Sequence, residues 1–122
     1  MVQHSTKLPT LDNSGAQLIE CINVLKRHPK DRGKTGSLIV VTVKKKSTSV
    51  KVKQGQVLKG MLITTKYNIL RKNGIKVKFN KNGAILLNEQ LTPLATRITG
   101  PLTRELRKKK IMKMLSMAKR II

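Results

Sequence analysis

The chain has 122 residues and carries 27 Lys+Arg against 5 Asp+Glu, a formal net charge of +22. Charge of one sign repels itself, and a polyanion such as nucleic acid relieves that repulsion when its phosphates meet Lys and Arg. Apolar residues make up 39% of the chain and fall in patterned runs, which excludes a disordered polybasic tail and predicts one folded domain. The longest apolar run, Ser37 to Val43, is far shorter than the roughly 20 residues that a membrane-spanning helix needs.

Apolar and β-branched runs, separated by turn residues, predict β-strands in the first part of the chain. The first predicted strand is 18–25, after the turn-like 12–15, and a basic loop over 26–36 leads to the second strand, 38–43. The unbroken β-branched run of this second strand indicates burial on both faces. Residues 50–53 alternate Val and Lys, which predicts a strand with lysines on the solvent or phosphate face. The next run, 57–65, contains Gly60, a candidate bulge or bend.

Two Asn-Gly pairs, Asn73-Gly74 and Asn82-Gly83, lie before and after the alternating run 75–79. Both residue types accept the positive φ angles of a tight hairpin turn, so the order predicts a meander that ends in a strand over 84–87. In that meander Ile75, Val77 and Phe79 should face the core, and Lys76 and Lys78 should face outward.

The pattern changes period after Pro93, and Gly100-Pro101 interrupts the chain before a helical tail that Thr103 is placed to cap. An apolar stripe at helical spacing consists of Ile111, Met114, Leu115, Ala118 and Ile122. We therefore predict a mainly β fold in a single domain, 1–122. A small closed or nearly closed β-barrel would occupy about 1–95, with a helical segment over about 100–120 packed at its side.

The basic residues are concentrated in four segments: five in Lys26–Lys34, five in Lys44–Lys53, five in Arg71–Lys81 and six in Arg104–Lys113. A solvated, lysine-rich surface is the ordinary explanation for such clusters, but the charge imbalance here is too large for it. We predict that these segments bind nucleic acid. The candidate contact residues are Lys26, Arg27, Arg32, Lys34, Lys44, Lys45, Lys46, Lys51, Lys53, Arg71, Lys72, Lys76, Lys78, Arg104, Arg107, Lys108, Lys109 and Lys110.

Tyr67 and Phe79 are the only aromatic residues, which excludes a platform that stacks a row of unpaired bases. Contacts to phosphate and ribose remain, and these suit a folded RNA that is recognised by its shape. Two other classes stay open. The same contacts would hold DNA, as in a free architectural DNA-binding protein, and the methionine-rich tail would suit a regulatory module that docks proteins.

The sequence offers no set of residues for catalysis, because its five acidic residues are scattered and no acid, base and nucleophile can be combined. Cys21 lies alone in an apolar run, which indicates a buried thiol rather than a nucleophile or a metal ligand. The stretch 12–15 is explained by Asx-turn chemistry, since no base accompanies Ser14. We expect no enzyme activity, no cofactor and no metal.

Several motifs together resemble the family of the fourteenth large-subunit ribosomal protein, a universal family. They are Asp12-Asn13-Ser14-Gly15-Ala16, Cys21-Ile22, Val24-Leu25, Gly55 to Lys59, Thr65-Lys66, Asn73-Gly74, Ala84 to Asn88, Thr96-Arg97-Ile98, Gly100-Pro101, Thr103 to Arg107 and Met112-Lys113. The similarity runs nearly from end to end. The chain departs from the family pattern at Thr10-Leu11, Ser37, Thr64 and Asn80.

The resemblance implies a five-stranded barrel, a projecting basic ribbon near Lys44–Lys53 and short C-terminal helices. It further implies that the basic residues bind large-subunit rRNA beside neighbouring large-subunit proteins. The family also meets small-subunit rRNA across the subunit interface, and a factor that blocks subunit joining is a further expected partner. We assign Thr96, Arg97, Lys113 and Met117 to that intersubunit or factor face. A sequence rich in Lys, Ile and Asn favours a ribosome of the mitochondrial matrix, with the bacterial cytoplasm or a plastid as alternatives.

Overall fold

The computed structural model describes residues 2–25, 32–48, 51–109 and 112–122. Within these ranges the strands are β1 Lys7–Pro9, β2 Ala16–Val24, β3 Leu38–Lys46, β4 Val57–Thr64, β5 Ile69–Leu70, β6 Lys76–Val77 and β7 Gly83–Leu87. A 3-10 helix, Arg104–Lys109, and one short helix, α1 Met112–Met117, follow them. No helix in the described part of the chain has the length and apolar character to cross a membrane.

Five strands form one antiparallel sheet in the order β1-β2-β3-β4-β7. The first four are sequential neighbours, and β7 returns to pair with β4 after the small β5–β6 hairpin. A parallel bridge joins Thr10, just after β1, to Ala84 in β7, and Leu11 N donates to Ala84 O at 3.0 Å. The two edges of the curled sheet meet at this bridge. The mainly β, five-stranded barrel with short C-terminal helices is thus confirmed.

The barrel interior is filled by alternate residues of the sheet, as a period of two requires. Ile39, Val41 and Val43 of β3 are fully buried there, and they pack in a cluster that includes Ile19 and Leu86. The other face of β3 is only half-buried, so the prediction that this strand is buried on both faces is wrong. The strand that is buried on both faces is β7, in which all five residues are buried.

β7 is covered on its outer face because the C-terminal segment packs against it. Ile85 and Leu87 belong to a second apolar cluster, the outer apolar cluster, with Leu102, Leu106 and Met114. Met114 and Leu115 are buried as the helical stripe predicts, and Ala118 is half-buried. Ile122 is 40% exposed, contrary to the stripe, because α1 ends at Met117 and the helical spacing ends with it. Ile111 lies outside the described residues.

The two Asn-Gly pairs have different structures. Gly74 has φ +85° and turns the chain from β5 into β6, where Ile69 pairs with Val77. Gly83 instead begins β7, and a Cβ there would lie 2.6 Å from the Leu11 side chain, so glycine is needed for close packing. The predicted hairpin at Asn82-Gly83 is therefore wrong, because β7 pairs with β4 and not with β6.

The predicted inward face of 75–79 is also wrong. Ile75 is 54% exposed, and Val77 and Phe79 are only half-buried. The β5–β6 hairpin pairs with no strand of the main sheet, so the barrel core does not extend beneath it.

The strand predicted at 50–53 is absent from its described residues, 51–53. Successive side chains nevertheless alternate between buried and exposed, because Val52 is fully buried in the barrel core while Lys51 and Lys53 are exposed. The chain then rejoins the sheet where Gly55 N donates to Val43 O at 2.8 Å.

Candidate nucleic-acid interface

One group of predicted contact residues lies at the C-terminal end of β3. We call Lys44, Lys45, Lys46, Lys51 and Lys53 the basic strand end; all five are exposed. Pairing with β2 up to Ala16 holds the three lysines of β3 on the sheet. Lys44 Nζ lies 3.2 Å from Glu20 Oε2, and Lys46 Nζ donates to Val52 O at 3.5 Å. The buried Val52 anchors the returning chain beneath these charges.

A second group surrounds a cleft between the β5–β6 hairpin and the 3-10 helix. This hairpin cleft has a volume of about 390 Å³, and Lys72 from the hairpin and Arg104 from the helix line it together. Both side chains are exposed, as are Lys76, Lys78 and Arg107 nearby in sequence. The cleft thus unites basic residues that are separated by some thirty positions in the chain.

Arg71, a predicted RNA contact, lines this cleft but is half-buried and bonded to other residues of the protein. Its Nε donates to Glu105 Oε1 at 2.6 Å, and its Nη2 donates to Glu105 Oε2 at 3.4 Å and to Ile122 O at 2.7 Å. Burial of the Glu105 carboxylate by itself would raise its pKa, but hydrogen bonds to the carboxylate, foremost those from Arg71, together with the charge of Arg71 outweigh this and lower the pKa. The pair fastens the hairpin to the C-terminal segment.

Lys34 approaches the same region from the loop before β3. Its Nζ lies 5.3 Å from the centre of the Tyr67 ring, a cation–π distance, and a small cavity of about 180 Å³ links both residues to Glu105. Arg32 is exposed in this loop. Lys26, Arg27 and Lys110 lie outside the described residues, and Lys108 and Lys109 are described only as part of the 3-10 helix.

The predicted contacts therefore form two surfaces rather than one. Lys34 precedes the first residue of β3 and Lys46 is its last, so the length of a nine-residue strand separates them. At about 3.3 Å per residue that is roughly 26 Å, several phosphate spacings along a nucleic-acid strand.

The Asx-rich loop has a long-range role that the sequence analysis missed. Asn13 Oδ1 accepts hydrogen bonds from the backbone N of Thr96 and of Arg97, both at 3.1 Å. Asn13 Nδ2 donates to Thr96 Oγ1 at 3.0 Å. Asp12 closes the local turn with Ser14 and also accepts from Leu86 N at 3.0 Å. The local sequence could indicate only the turn.

The four residues assigned to the intersubunit or factor face come from two segments that meet where Ile98 contacts the end of α1. Ile98 N donates to Met117 O at 3.4 Å, which sets Thr96 and Arg97 beside the end of α1. Lys113 and Met117 are four residues apart on α1 and so share one side of it. Thr96, Arg97 and Lys113 are exposed, whereas Met117 is half-buried against the outer apolar cluster. We call these four residues the Arg97 face.

The cysteine is a core residue, as predicted. Cys21 is fully buried in the barrel, where burial raises the pKa of its thiol although a backbone hydrogen bond with Asn23 opposes the shift. In the described residues, no three His, Cys, Asp or Glu side chains are grouped to hold a metal ion.

A small, strongly basic barrel with exposed lysines and arginines at both ends is typical of nucleic-acid-binding domains. The model of one such family, described as ribosomal protein L14p/L23e, matches residues 1–122. The chain belongs to this family. It is therefore a structural, non-enzymatic component of the large ribosomal subunit, and its partners in the ribosome are rRNA and ribosomal proteins.

Proposed function

We propose that the chain binds large-subunit rRNA with the basic strand end and the hairpin cleft, and that the Arg97 face contacts the small subunit. The main support is the excess of exposed cations that lack an acidic partner. Lys44 and Arg71 form ion pairs, but Lys45, Lys72 and Arg104 have no acidic partner within the described ranges. Each such cation that meets a phosphate releases a condensed counterion.

The binding mechanism is electrostatic and based on shape. Two rigid basic surfaces at opposite ends of β3 contact separate stretches of phosphate backbone, so their spacing selects an RNA fold. Arg71 has a structural role in this scheme: its pairing with Glu105 keeps Lys72 near Arg104.

At the Arg97 face, Arg97 and Lys113 provide exposed positive charge, and Thr96 provides a hydroxyl group. We propose that this face binds small-subunit rRNA phosphates when the subunits join. A factor that blocks joining would occupy the same residues, with Met117 at the apolar margin.

We propose the mitochondrial matrix as the location of this ribosome, because a sequence rich in Lys, Ile and Asn is typical of an AT-biased genome. The bacterial cytoplasm and the plastid are the competing compartments. Ribosomes purified from separated compartments, probed with an antibody to the chain, distinguish the three.

Charge reversal at the Arg97 face tests the proposed function. Ribosomes that carry Arg97→Glu with Lys113→Glu should contain the protein in normal amount in the large subunit but join small subunits less well, most clearly at low magnesium. The control is Lys7→Glu with Lys66→Glu, which changes the charge equally at exposed lysines outside the four basic segments and the Arg97 face. Normal joining by the Arg97 and Lys113 variant would contradict the proposal.

A further inference from the structure

We propose that Asn13 is a positioning residue for subunit joining: its side-chain amide holds Thr96 and Arg97 in the orientation that meets the small subunit. This inference rests on the proposed function of the Arg97 face. It assigns a role to an exposed residue that carries no charge and lies more than eighty positions away in the sequence.

Four hydrogen bonds connect Asn13 to the two residues that it would position. The side-chain oxygen accepts from Thr96 N and Arg97 N, both at 3.1 Å, and so uses both of its lone pairs. The side-chain nitrogen donates to Thr96 Oγ1 at 3.0 Å, and Asn13 N donates to Arg97 O at 3.3 Å. The backbone of Thr96 and Arg97 is thereby fixed although both side chains are exposed.

The residues before and after Asn13 are themselves fixed by the fold, so the position of Asn13 is well defined. Before it, Asp12 forms a bridge with Ile98, and Leu11 O accepts from Thr99 N at 2.7 Å. After it, Gly15 adopts φ +99°, a value that few other residues take, and so directs the chain into β2. These contacts fasten the loop to the segment 98–99 and to the start of β2.

The amide also determines the direction of the Thr96 hydroxyl. Because Asn13 Nδ2 donates to Thr96 Oγ1, the hydroxyl oxygen is the acceptor in that bond, and its own hydrogen stays available to a partner. Phosphate oxygens accept such a hydrogen bond. Next to it, the Arg97 guanidinium forms no ion pair with any residue that the structure describes. Together they present hydrogen-bond donors and positive charge to an anionic partner.

The first variant is Asn13→Ala in the full chain, assembled into large subunits. Occupancy in the large-subunit peak should stay normal, because Asn13 is exposed and outside both apolar clusters. The association constant with small subunits should fall about tenfold, as expected when a few hydrogen bonds that fix the face are lost. Amide hydrogen exchange at Thr96 and Arg97 in the free protein should become faster.

The second variant, Asn13→Asp, keeps acceptors for the two backbone N–H groups but cannot donate to Thr96. Exchange at Thr96 and Arg97 should stay slow, while joining is still reduced because the Thr96 hydroxyl now donates inward to the carboxylate. Normal joining by this variant would show that the amide donor is not needed and would overturn the proposed hydroxyl orientation.

A double-mutant cycle separates positioning from a general structural role. If Asn13 acts through Arg97, Asn13→Ala should lower joining much less in an Arg97→Ala background than in the wild type. If the two substitutions act independently, the fold-reductions in joining of the single variants multiply in the double variant, and that result would overturn the inference. A fall in large-subunit occupancy with Asn13→Ala alone would also overturn it. Reduced joining with Arg97→Ala but normal joining with Asn13→Ala would overturn it while leaving the proposed function intact. Normal joining with both would contradict both proposals.

Discussion

At the scale of single residues, burial separates the side chains that hold the fold from those that are available to partners. Within α1, Leu115 is buried at 6% exposure and packs in the outer apolar cluster, while Lys113 on the same helix is exposed. A substitution at Leu115 should therefore change stability, and one at Lys113 should change binding.

Leu115→Ala should lower the free energy of unfolding by roughly 2–5 kcal/mol, the range for truncating a buried leucine. Ile122→Ala is the matched control: it removes a similar apolar group from a side chain that is 40% exposed, so its effect should be much smaller. Urea unfolding of both full-length variants provides the comparison. Equal losses would show that α1 is not anchored through Leu115.

Sequence reasoning found the burial of some residues at this scale but none of the long-range polar contacts. The inward positions of Val52, Met114 and Leu115 follow from local periodicity, which depends only on neighbouring residues. The bonds from Asn13 to Thr96 and Arg97 join residues that only the folded barrel brings together. The same local sequence fits a simple Asx turn and a loop whose side chains also form hydrogen bonds with a distant segment.

At the scale of elements, an ion pair attaches the β5–β6 hairpin to the C-terminal segment. The Arg71 and Glu105 side chains are 22% and 30% exposed, and their bonds tie the hairpin to the 3-10 helix. The pKa of Glu105 is lowered, so the unfolded chain takes up its proton at a higher pH than the folded chain does. The stabilisation is complete above the ordinary carboxylate pKa of about 4.3 and is lost as the pH falls through the lower folded value.

Glu105→Gln should therefore destabilise the protein by about 1 kcal/mol at pH 7, and the difference from wild type should shrink as the pH falls below the ordinary carboxylate pKa. Thermal unfolding of both proteins across that pH range tests this. Glu89→Gln, an exposed acid in no ion pair that the structure describes, is the control and should show little difference at any pH in this range. A constant difference for Glu105→Gln would contradict a charge-dependent pair.

Changing all five lysines of the basic strand end to Gln should weaken RNA binding while changing stability little, because their side chains are exposed. The Lys44–Glu20 pair is a surface pair and should contribute at most about 1 kcal/mol. Val52→Ala should do the reverse, since it removes buried volume and no charge. Filter binding to large-subunit rRNA and thermal unfolding give the two readouts. If the lysine variant unfolds but still binds RNA, the assignment of faces is wrong.

The two Asn-Gly pairs show why a turn cannot be predicted from its two residues alone. Asn73-Gly74 and Asn82-Gly83 have the same local turn preference, yet only the first forms a turn with positive φ. At the second, pairing of β7 with β4 and the close approach of Leu11 to Gly83 decide the outcome. Tertiary contacts override a two-residue preference.

At the scale of the whole molecule, the charge of +22 determines the class of partner and the barrel determines where that charge lies. The class, the family and the mainly β fold are predictable because net charge and motifs extend over the whole chain. The division of the basic residues into two surfaces is not, because it depends on the length and pairing of β3.

If about six to ten phosphates are neutralised, RNA affinity should fall with salt, and the logarithmic slope should be on the order of −4 to −7 for single-stranded and −5 to −9 for duplex segments. Equilibrium binding of the full chain to large-subunit rRNA at several salt concentrations measures the slope. The five-lysine variant should give a shallower slope than wild type. A slope near zero would rule out the electrostatic mechanism.

Sedimentation of the native protein tests the central claim most directly. Lysate is layered on sucrose gradients at high salt, which removes loosely bound basic proteins, and each fraction is probed for the chain. We expect the protein to remain with the large subunit in near-stoichiometric amount, and RNase treatment before centrifugation should move it to the top. Recovery at the top of the untreated gradient, or together with DNA, would contradict a structural role in the large ribosomal subunit.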